Sequence, residues 1–334
     1  MKNVVSLHDL LEGEVRPAAL LAEYLALTER EVRHRWGAPN DTLVTVACQA
    51  CGDDSRAEAF HKFGFRYDLC GACGTLYASA RPTQGALQAY YRDAESVRFW
   101  RERVLPETAE ARATKIAGPR AQWVADGIAE HRADAVTAVD LSPAGSTLGQ
   151  ELLGARPGER AKASYGLGEL GLDGAPRVVV RHDVTPGAVD IVTAFDVVDR
   201  AADLPALLGA IWTMLKPGGL LFATATSVSG FDLQVLWERS ATLTPPDKLQ
   251  ALSVTGFQRL FAAPHWELIE LSTPGMLDVE NVRRAVSAEP NGAWPRVVKN
   301  LCANLDDHGW ASLQEFLQEH RLASFVRLIA RRRA

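Results

Sequence analysis

The apolar positions change their period along the chain, and the changes divide it. Leu20, Leu21, Tyr24, Leu25 and Leu27 recur at three- and four-residue spacing, which predicts an amphipathic helix over Ala18–Arg35. A shorter helical pattern over Leu7–Glu12 precedes it, and Gly37-Ala-Pro-Asn40 ends it. Residues Phe60–Leu69 read as strand material around a turn. Arg81-Pro-Thr-Gln opens a helix that runs through Tyr90 and Tyr91, and Val97–Glu130 reads as further helices carrying Phe99, Trp100 and Trp123. From about Ala135 the pattern becomes short apolar runs of strand length at Val136–Asp140, Arg177–Arg181, Asp190–Phe195 and Leu220–Thr226. Helical stretches at Thr147–Leu153 and Leu204–Leu215 and a Lys216-Pro-Gly-Gly turn lie among them. Such alternation predicts an α/β fold with a doubly wound, mostly parallel sheet that holds ligands at the carboxyl ends of its strands. His265–Ser272 and Ser324–Arg331 read as antiparallel edge strands. The predicted organisation is an N-terminal helical segment over 1–43, a small module over 44–80, a helical connector or lid over 81–134 and the sheet domain over 135–334.

The small module carries the sharpest chemical signal. Cys48-Gln-Ala-Cys51 and Cys70-Gly-Ala-Cys73 are two C-x2-C knuckles with 18 residues between them. This is the spacing of a four-cysteine zinc site. Each knuckle aims two thiolates at one point, and two knuckles close a tetrahedron around Zn²⁺. Gly52, Gly71 and Gly74 supply permissive turns, and strand material between the knuckles makes a zinc ribbon. Four thiolates fill the coordination shell, so the expected role of Cys48, Cys51, Cys70 and Cys73 is structural. Cys302 stands alone and reads as a small core residue.

Composition adds exclusions. With 47% apolar and 23% charged residues the chain is an ordinary globular protein. The longest apolar run, near Leu220, falls far short of the roughly 20 residues of a membrane span. The N-terminus lacks the apolar core of a signal peptide, so the expectation is a cytoplasmic protein with no membrane partner. Net charge is −5, without a basic stretch interleaved with aromatic residues, which argues against nucleic acid as a partner.

Several runs carry a family likeness. Val189-Asp-Ile-Val-Thr-Ala-Phe-Asp-Val-Val-Asp199, with a helix and then Met214-Leu-Lys-Pro-Gly-Gly-Leu-Leu221, resembles the fourth strand and the approach to the fifth in class I S-adenosylmethionine (SAM) dependent methyltransferases. The ribbon ahead of that sheet resembles a subgroup containing sugar and natural-product C-methyltransferases. Pro106–Lys115, Gly230–Trp237, Thr273–Val279 and Phe316–His320 look like further segments of it. The resemblance implies a Rossmann-like methyltransferase sheet, SAM as cofactor beside the structural zinc, and a small-molecule acceptor.

Departures from the family pattern fall at its functional positions. Where the family reads D-x-G-x-G-x-G, this chain reads Asp140-Leu-Ser-Pro-Ala-Gly-Ser146. Ser142, Ala144 and Ser146 stand at the three glycine positions, Gly145 is one place off, and Pro143 removes an amide donor. Glu169 is the nearest acid for the ribose position. Asp183 follows strand three near an adenine, and Phe195 and Asp196 line the cofactor cleft. His182 and Tyr91 are candidates for proton chemistry or substrate contact, with Tyr90 and Trp100 facing the substrate. Asp199-Arg200 replaces the family's Glu-His, and an arginine there cannot act as a base but can clamp a carboxylate or phosphate. Lys248 likewise takes the place of a frequent histidine, and Leu322-Ala-Ser-Phe325 lacks another. Two functions stay open: SAM-dependent methyl transfer to a small, anionic biosynthetic acceptor, or a methyltransferase-like protein turned to another reaction or to a scaffold or partner role.

Overall fold

The computed structural model describes residues 1–5, 10–135, 137–142, 186–262 and 264–333. The strand predicted at Arg177–Arg181 and the helix at Thr147–Leu153 lie outside the described residues. The main sheet has five strands in the order β10-β11-β8-β7-β6. Its members are β6 (Ala138–Asp140), β7 (Val189–Phe195), β8 (Leu215–Thr226), β10 (Trp266–Ser272) and β11 (Phe325–Arg332). β6, β7 and β8 are mutually parallel, and β11 and β10 close the edge antiparallel, as the sequence pattern predicts. The fold is a Rossmann-like α/β sheet.

Every residue of β7 is buried, Asp190 and Thr193 included, which is why its sequence does not alternate apolar with polar. The two faces still separate by parity. Val192, Ala194, Leu221 and Ala223 pack with α8 (Leu204–Met214), whose Leu204, Leu207, Leu208 and Ile211 form one stripe. Ile191, Phe195, Leu220 and Phe222 pack on the other side with Trp123 and Val124 of α7 (Gly118–His131). Gly127 permits that approach, since a Cβ there would come within 2.6 Å of the Phe222 ring. The predicted turn at Lys216–Gly219 persists as an excursion within β8. Leu215 pairs with Val189 and Leu220 with Ile191, Gly218 takes φ +78°, and Lys216 Nζ reaches both Asp190 carboxylate oxygens at 2.9 Å.

The cysteine module has its own sheet, β2-β3-β4-β9. β2 (Arg56–Lys62) and β3 (Phe65–Cys70) form the predicted hairpin, turning at Phe63 and Gly64, both at positive φ. β4 (Leu76–Ala78) follows, and β9 (Gln250–Ala251) joins from the far side of the main sheet. β1 (Leu43–Thr45) pairs with β5 (Ala80–Pro82). Arg81 is fully buried here; it donates to the carbonyls of Ala78 and Leu249 and to Gln250 Oε1. Helix α2 (Ala18–Trp36) buries Leu20, Tyr24, Thr28, Val32 and Trp36, one residue per turn. The helix predicted at Leu7–Glu12 falls largely outside the described residues. α1 spans Glu12–Val15, and at its start the Glu14 carboxylate accepts from the Leu11 N–H.

Between α3 (Gln84–Asp93) and α7 the chain is mostly helical, broken by an extended Ala94 and a turn at Thr108, and two stretches widen into π turns, Trp100–Val104 and Ala113–Ala117. Leu105 N–H bonds to Trp100 C=O and Gly118 N–H to Ala113 C=O. Such turns re-aim side chains and recur at functional sites. The C-terminal part adds α9 (Phe231–Leu236), α10 (Val254–Leu260), α11 (Asp278–Ala288), α12 (Arg296–Asn304) and α13 (Asp307–Glu319). Cys302 packs among Leu236, Val282, Trp294 and Val298.

Candidate active site and metal centre

The four knuckle cysteines converge. Their sulfur atoms all lie within 4.8 Å of one another, with Cys48–Cys73 and Cys51–Cys70 each at 3.6 Å. A tetrahedron with Zn–S bonds of about 2.3 Å has edges of about 3.8 Å, so the residues fit a zinc ion. Each knuckle is the tight turn the sequence suggests. Gly52 N–H bonds to Cys48 C=O at 2.7 Å, Gly74 N–H bonds to Cys70 C=O at 2.9 Å, and both glycines sit near φ +70°. Burial pushes the Cys48 and Cys51 thiols up, and a coordinated cation is what would hold such sulfurs as thiolates. His61 is exposed on β2, away from this cluster of ligands.

The second feature is a cavity of about 390 Å³ over the carboxyl ends of β7 and β8. Asp196 and Thr224–Thr226 form its floor beside Ser324 and Phe325, where β11 begins. The helical connector covers it with Trp100, Arg112, Lys115, Arg120 and Trp123, so both π turns contribute to the roof. Tyr24 and Tyr91, the Thr242–Lys248 segment, and Asp278 and Asn281 complete the walls.

The electrostatics of this cavity are set by ion pairs. Asp196 takes positive φ at the end of β7, and its carboxylate meets the Arg120 guanidinium at 3.0 and 3.3 Å. Burial works to raise Asp196, but Arg120 and Lys248 hold it well below the usual carboxylate range. Arg120 lies against the Phe195 and Phe325 rings, 5.3 and 5.7 Å from their centroids. Asp247 accepts from the Tyr24 hydroxyl at 2.8 Å and the Tyr91 hydroxyl at 2.7 Å, and Arg200 Nη1 stands 3.8 Å away. Burial would raise Asp247, yet Arg200 and the two phenols outweigh it and keep it low. Burial and the Asp247 charge push both phenols far up, so they act as donors. Arg200 Nε is enclosed without a hydrogen-bond partner among the described residues. Arg112 lies over the Trp100 ring and donates to Val15 C=O and Thr108 Oγ1; burial, with Arg16 nearby, brings it down to about 10.

The structure draws some predicted site residues together and separates others. Tyr91, Trp100, Asp196 and Arg200 line the cavity. Asp199 lies beneath it, fully buried, accepting from Thr226 N–H, Thr226 Oγ1 and Lys248 Nζ. Arg200 therefore reaches Asp247, and does not cap Asp199 or Asp203. Tyr90 is buried against Ser96, away from the cavity. Asp140 and Ser142 are also buried. Asp140 Oδ1 accepts from Ser142 N–H at 3.0 Å and Thr193 Oγ1 at 2.8 Å, while Ser142 Oγ accepts from Phe195 N–H at 2.9 Å. Phe195 is a core residue under Trp123. Ala144, Gly145, Ser146, Glu169, His182 and Asp183 lie outside the described residues. Sequence reasoning did not single out Arg112, Arg120 or Asp247. A signal for the first two exists: Arg112, Lys115, Ile116, Pro119 and Arg120 recur at helical spacing and share one face.

No family model matches this chain, and no curated protein matches it. Solved structures with a similar course of the chain include the [4+2]-cyclase SpnF, at 15% identity and TM-score 0.35, over 63% of this chain and 80% of that one. A SAM-dependent methyltransferase from Mesorhizobium loti matches at 12% identity and TM-score 0.34, over 59% and 91%. A coclaurine N-methyltransferase bound to N-methylheliamine and SAH matches at 10% identity and TM-score 0.35, over 64% and 72%. These likenesses concern the course of the chain and carry no inference about chemistry.

Proposed function

We propose that the chain is a SAM-dependent methyltransferase acting on a small acceptor that carries a carboxylate or phosphate, with a structural zinc in its ribbon. The observation that carries this reading is the cavity wall. Arg112, Arg120, Arg200 and Lys248 bring fixed cations to the carboxyl ends of parallel strands, where open α/β sheets hold ligands. Arg200 supports it most directly, because among the described residues its enclosed Nε has no hydrogen-bond partner and its ion pair with Asp247 is long. A carboxylate or phosphate seated there would meet a planar, permanently charged donor. Trp100 and the Tyr24 and Tyr91 rings supply apolar walls for the body of such a ligand. When bound, SAM supplies an electrophilic methyl group. Asp196, anionic and facing the cavity, is the described residue suited to a cationic cofactor. The protein's own contribution is to hold and orient the acceptor and keep water out.

A second reading has a specific observation in its favour. Asp140, Ser142 and the Phe195 amide, all expected at the cofactor, are committed to one another through internal hydrogen bonds. Asp196 is likewise already committed to Arg120. This favours a methyltransferase-like protein that uses the same cavity for a different reaction. Mass analysis of small molecules released from the purified protein separates the two. An anionic metabolite together with SAM or S-adenosylhomocysteine supports methyl transfer. An anionic metabolite alone supports the second reading, and a cationic metabolite other than SAM, with no anionic one beside it, would contradict both.

A further inference from the structure

No histidine lines the cavity among the described residues, and Asp196 and Asp247 are held ionised by arginines. One pair of acids differs. Asp278, the first residue of α11, lines the cavity, and Asp232 of α9 lies behind it; they are 1% and 0% exposed. Their carboxyl groups are neighbours in one buried cluster. Leu233 N–H donates to Asp232 Oδ1 at 2.8 Å and Asn281 Nδ2 to Asp232 Oδ2 at 2.9 Å. Ser324 N–H donates to Asp278 Oδ1 at 2.7 Å and Gln314 Nε2 to Asp278 Oδ2 at 3.3 Å. The groups facing the pair are thus Asn281 from α11, Gln314 from α13 and Ser324 before β11, none of them titratable. No cation pairs with either acid among the described residues. Two neighbouring, buried carboxylates without a cation among the described residues do not both stay ionised, so the pair holds a proton. Burial raises both groups, and Asp232 adds its charge to the rise of Asp278.

A second observation points from this pair to a ligand. Asn281 is nine-tenths buried and lines the same cavity. Its Nδ2 donates to Asp232, and its Oδ1 has no hydrogen-bond partner among the described residues. We propose that Asp278, with Asp232 behind it and Asn281 beside it, is a site for a protic group of the cavity's ligand, a hydroxyl or an amine, and holds the proton which that group gains or loses. The proposal rests on the cavity being a ligand site and does not require SAM.

The test uses the full chain and needs no substrate. Isotope-edited infrared spectra of protein labelled with carbon-13 aspartate should show a protonated carboxyl at neutral pH. That signal should be lost in both Asp278→Asn and Asp232→Asn. The probe para-nitrophenyl glycidyl ether then reads access from the cavity. The ionised carboxylate oxygen attacks the epoxide carbon and the ring C–O bond breaks. The partner carboxyl gives its proton to the released alkoxide, leaving an ester and a hydroxyl. Peptide mass mapping should find one ester, on Asp278, and lose it in either variant. Absence of the protonated signal, its survival in both variants, or absence of an ester on either acid overturns the proposal. Because neither arm involves SAM, a failure of methyl transfer would leave these results readable on their own.

Discussion

Replacing Lys248 with methionine tests how the cavity wall is held. The Asp199 side chain is fully buried, and Lys248, itself only 14% exposed, is the cation beside it. Lys248→Met keeps most of the side-chain volume and removes the charge. The Asp199 carboxyl group would then keep Thr226 N–H and Thr226 Oγ1 as its side-chain partners among the described residues. Breaking a buried pair on one side costs about 3–5 kcal/mol, because the remaining charge is uncompensated. The surviving Thr226 bonds place the expected loss near the lower end, about 3 kcal/mol. Asp199→Asn removes the charge but leaves Lys248 a path toward solvent, so about 1.5–3 kcal/mol is expected, the worth of a charge-assisted hydrogen bond. The double variant should lose at least about 1 kcal/mol less than the sum of the singles, since residues in one network do not act additively. Urea unfolding followed by tryptophan fluorescence reads this as a shift in midpoint at unchanged slope. The consequence reaches the cavity, because the Asp199 carbonyl accepts from Leu249 N–H at 2.8 Å and so anchors the segment that carries Asp247. A loss below about 1 kcal/mol for Lys248→Met, or strict additivity, would refute the reasoning.

The purified protein should contain one zinc per chain; Cys70→Ser or a strong chelator should unfold the ribbon, seen as lost protection of the β2–β3 amides, and metal analysis near zero would end the claim. Lys62 is pushed down to about 8 by burial, so below that pH the folded state carries a poorly solvated charge. Lys62→Met should therefore be more stable than the parent at pH 7, and the gap should narrow as pH rises from about 8 toward 10.5, where the parent's folded form has already released its proton. A gap that does not change with pH would contradict this. Arg200→Lys should weaken binding of the anionic ligand by roughly tenfold or more through loss of a charge-assisted hydrogen bond, and unchanged kcat/KM with the true substrate would retire the clamp.

The legible parts of this chain are those where local chemistry decides. The C-x2-C spacing brings Cys48, Cys51, Cys70 and Cys73 together because knuckle turns are local. The strand β7 and the antiparallel pair β10 and β11 follow from strand length and patterning. The walls of the cavity were harder to see, since they depend on contacts across long sequence separations. Tyr24 meets Asp247 from 223 residues away and Tyr91 from 156. Asp247 follows two prolines and carries no periodic signal. The Asp232–Asp278 pair lies on two different helices, and neither residue departs from an ordinary surface-helix pattern. Arg200 was visible as a substitution in a family position, but its partner was not.

The central claim is that this cavity and the strand ends beside it bind SAM and an anionic acceptor. Isothermal titration of the zinc-loaded full chain with SAM and with S-adenosylhomocysteine tests it most directly. The account predicts saturable binding of both, one molecule per chain, weakened in Asp196→Ala. Intact, folded, zinc-loaded protein that binds neither would contradict it.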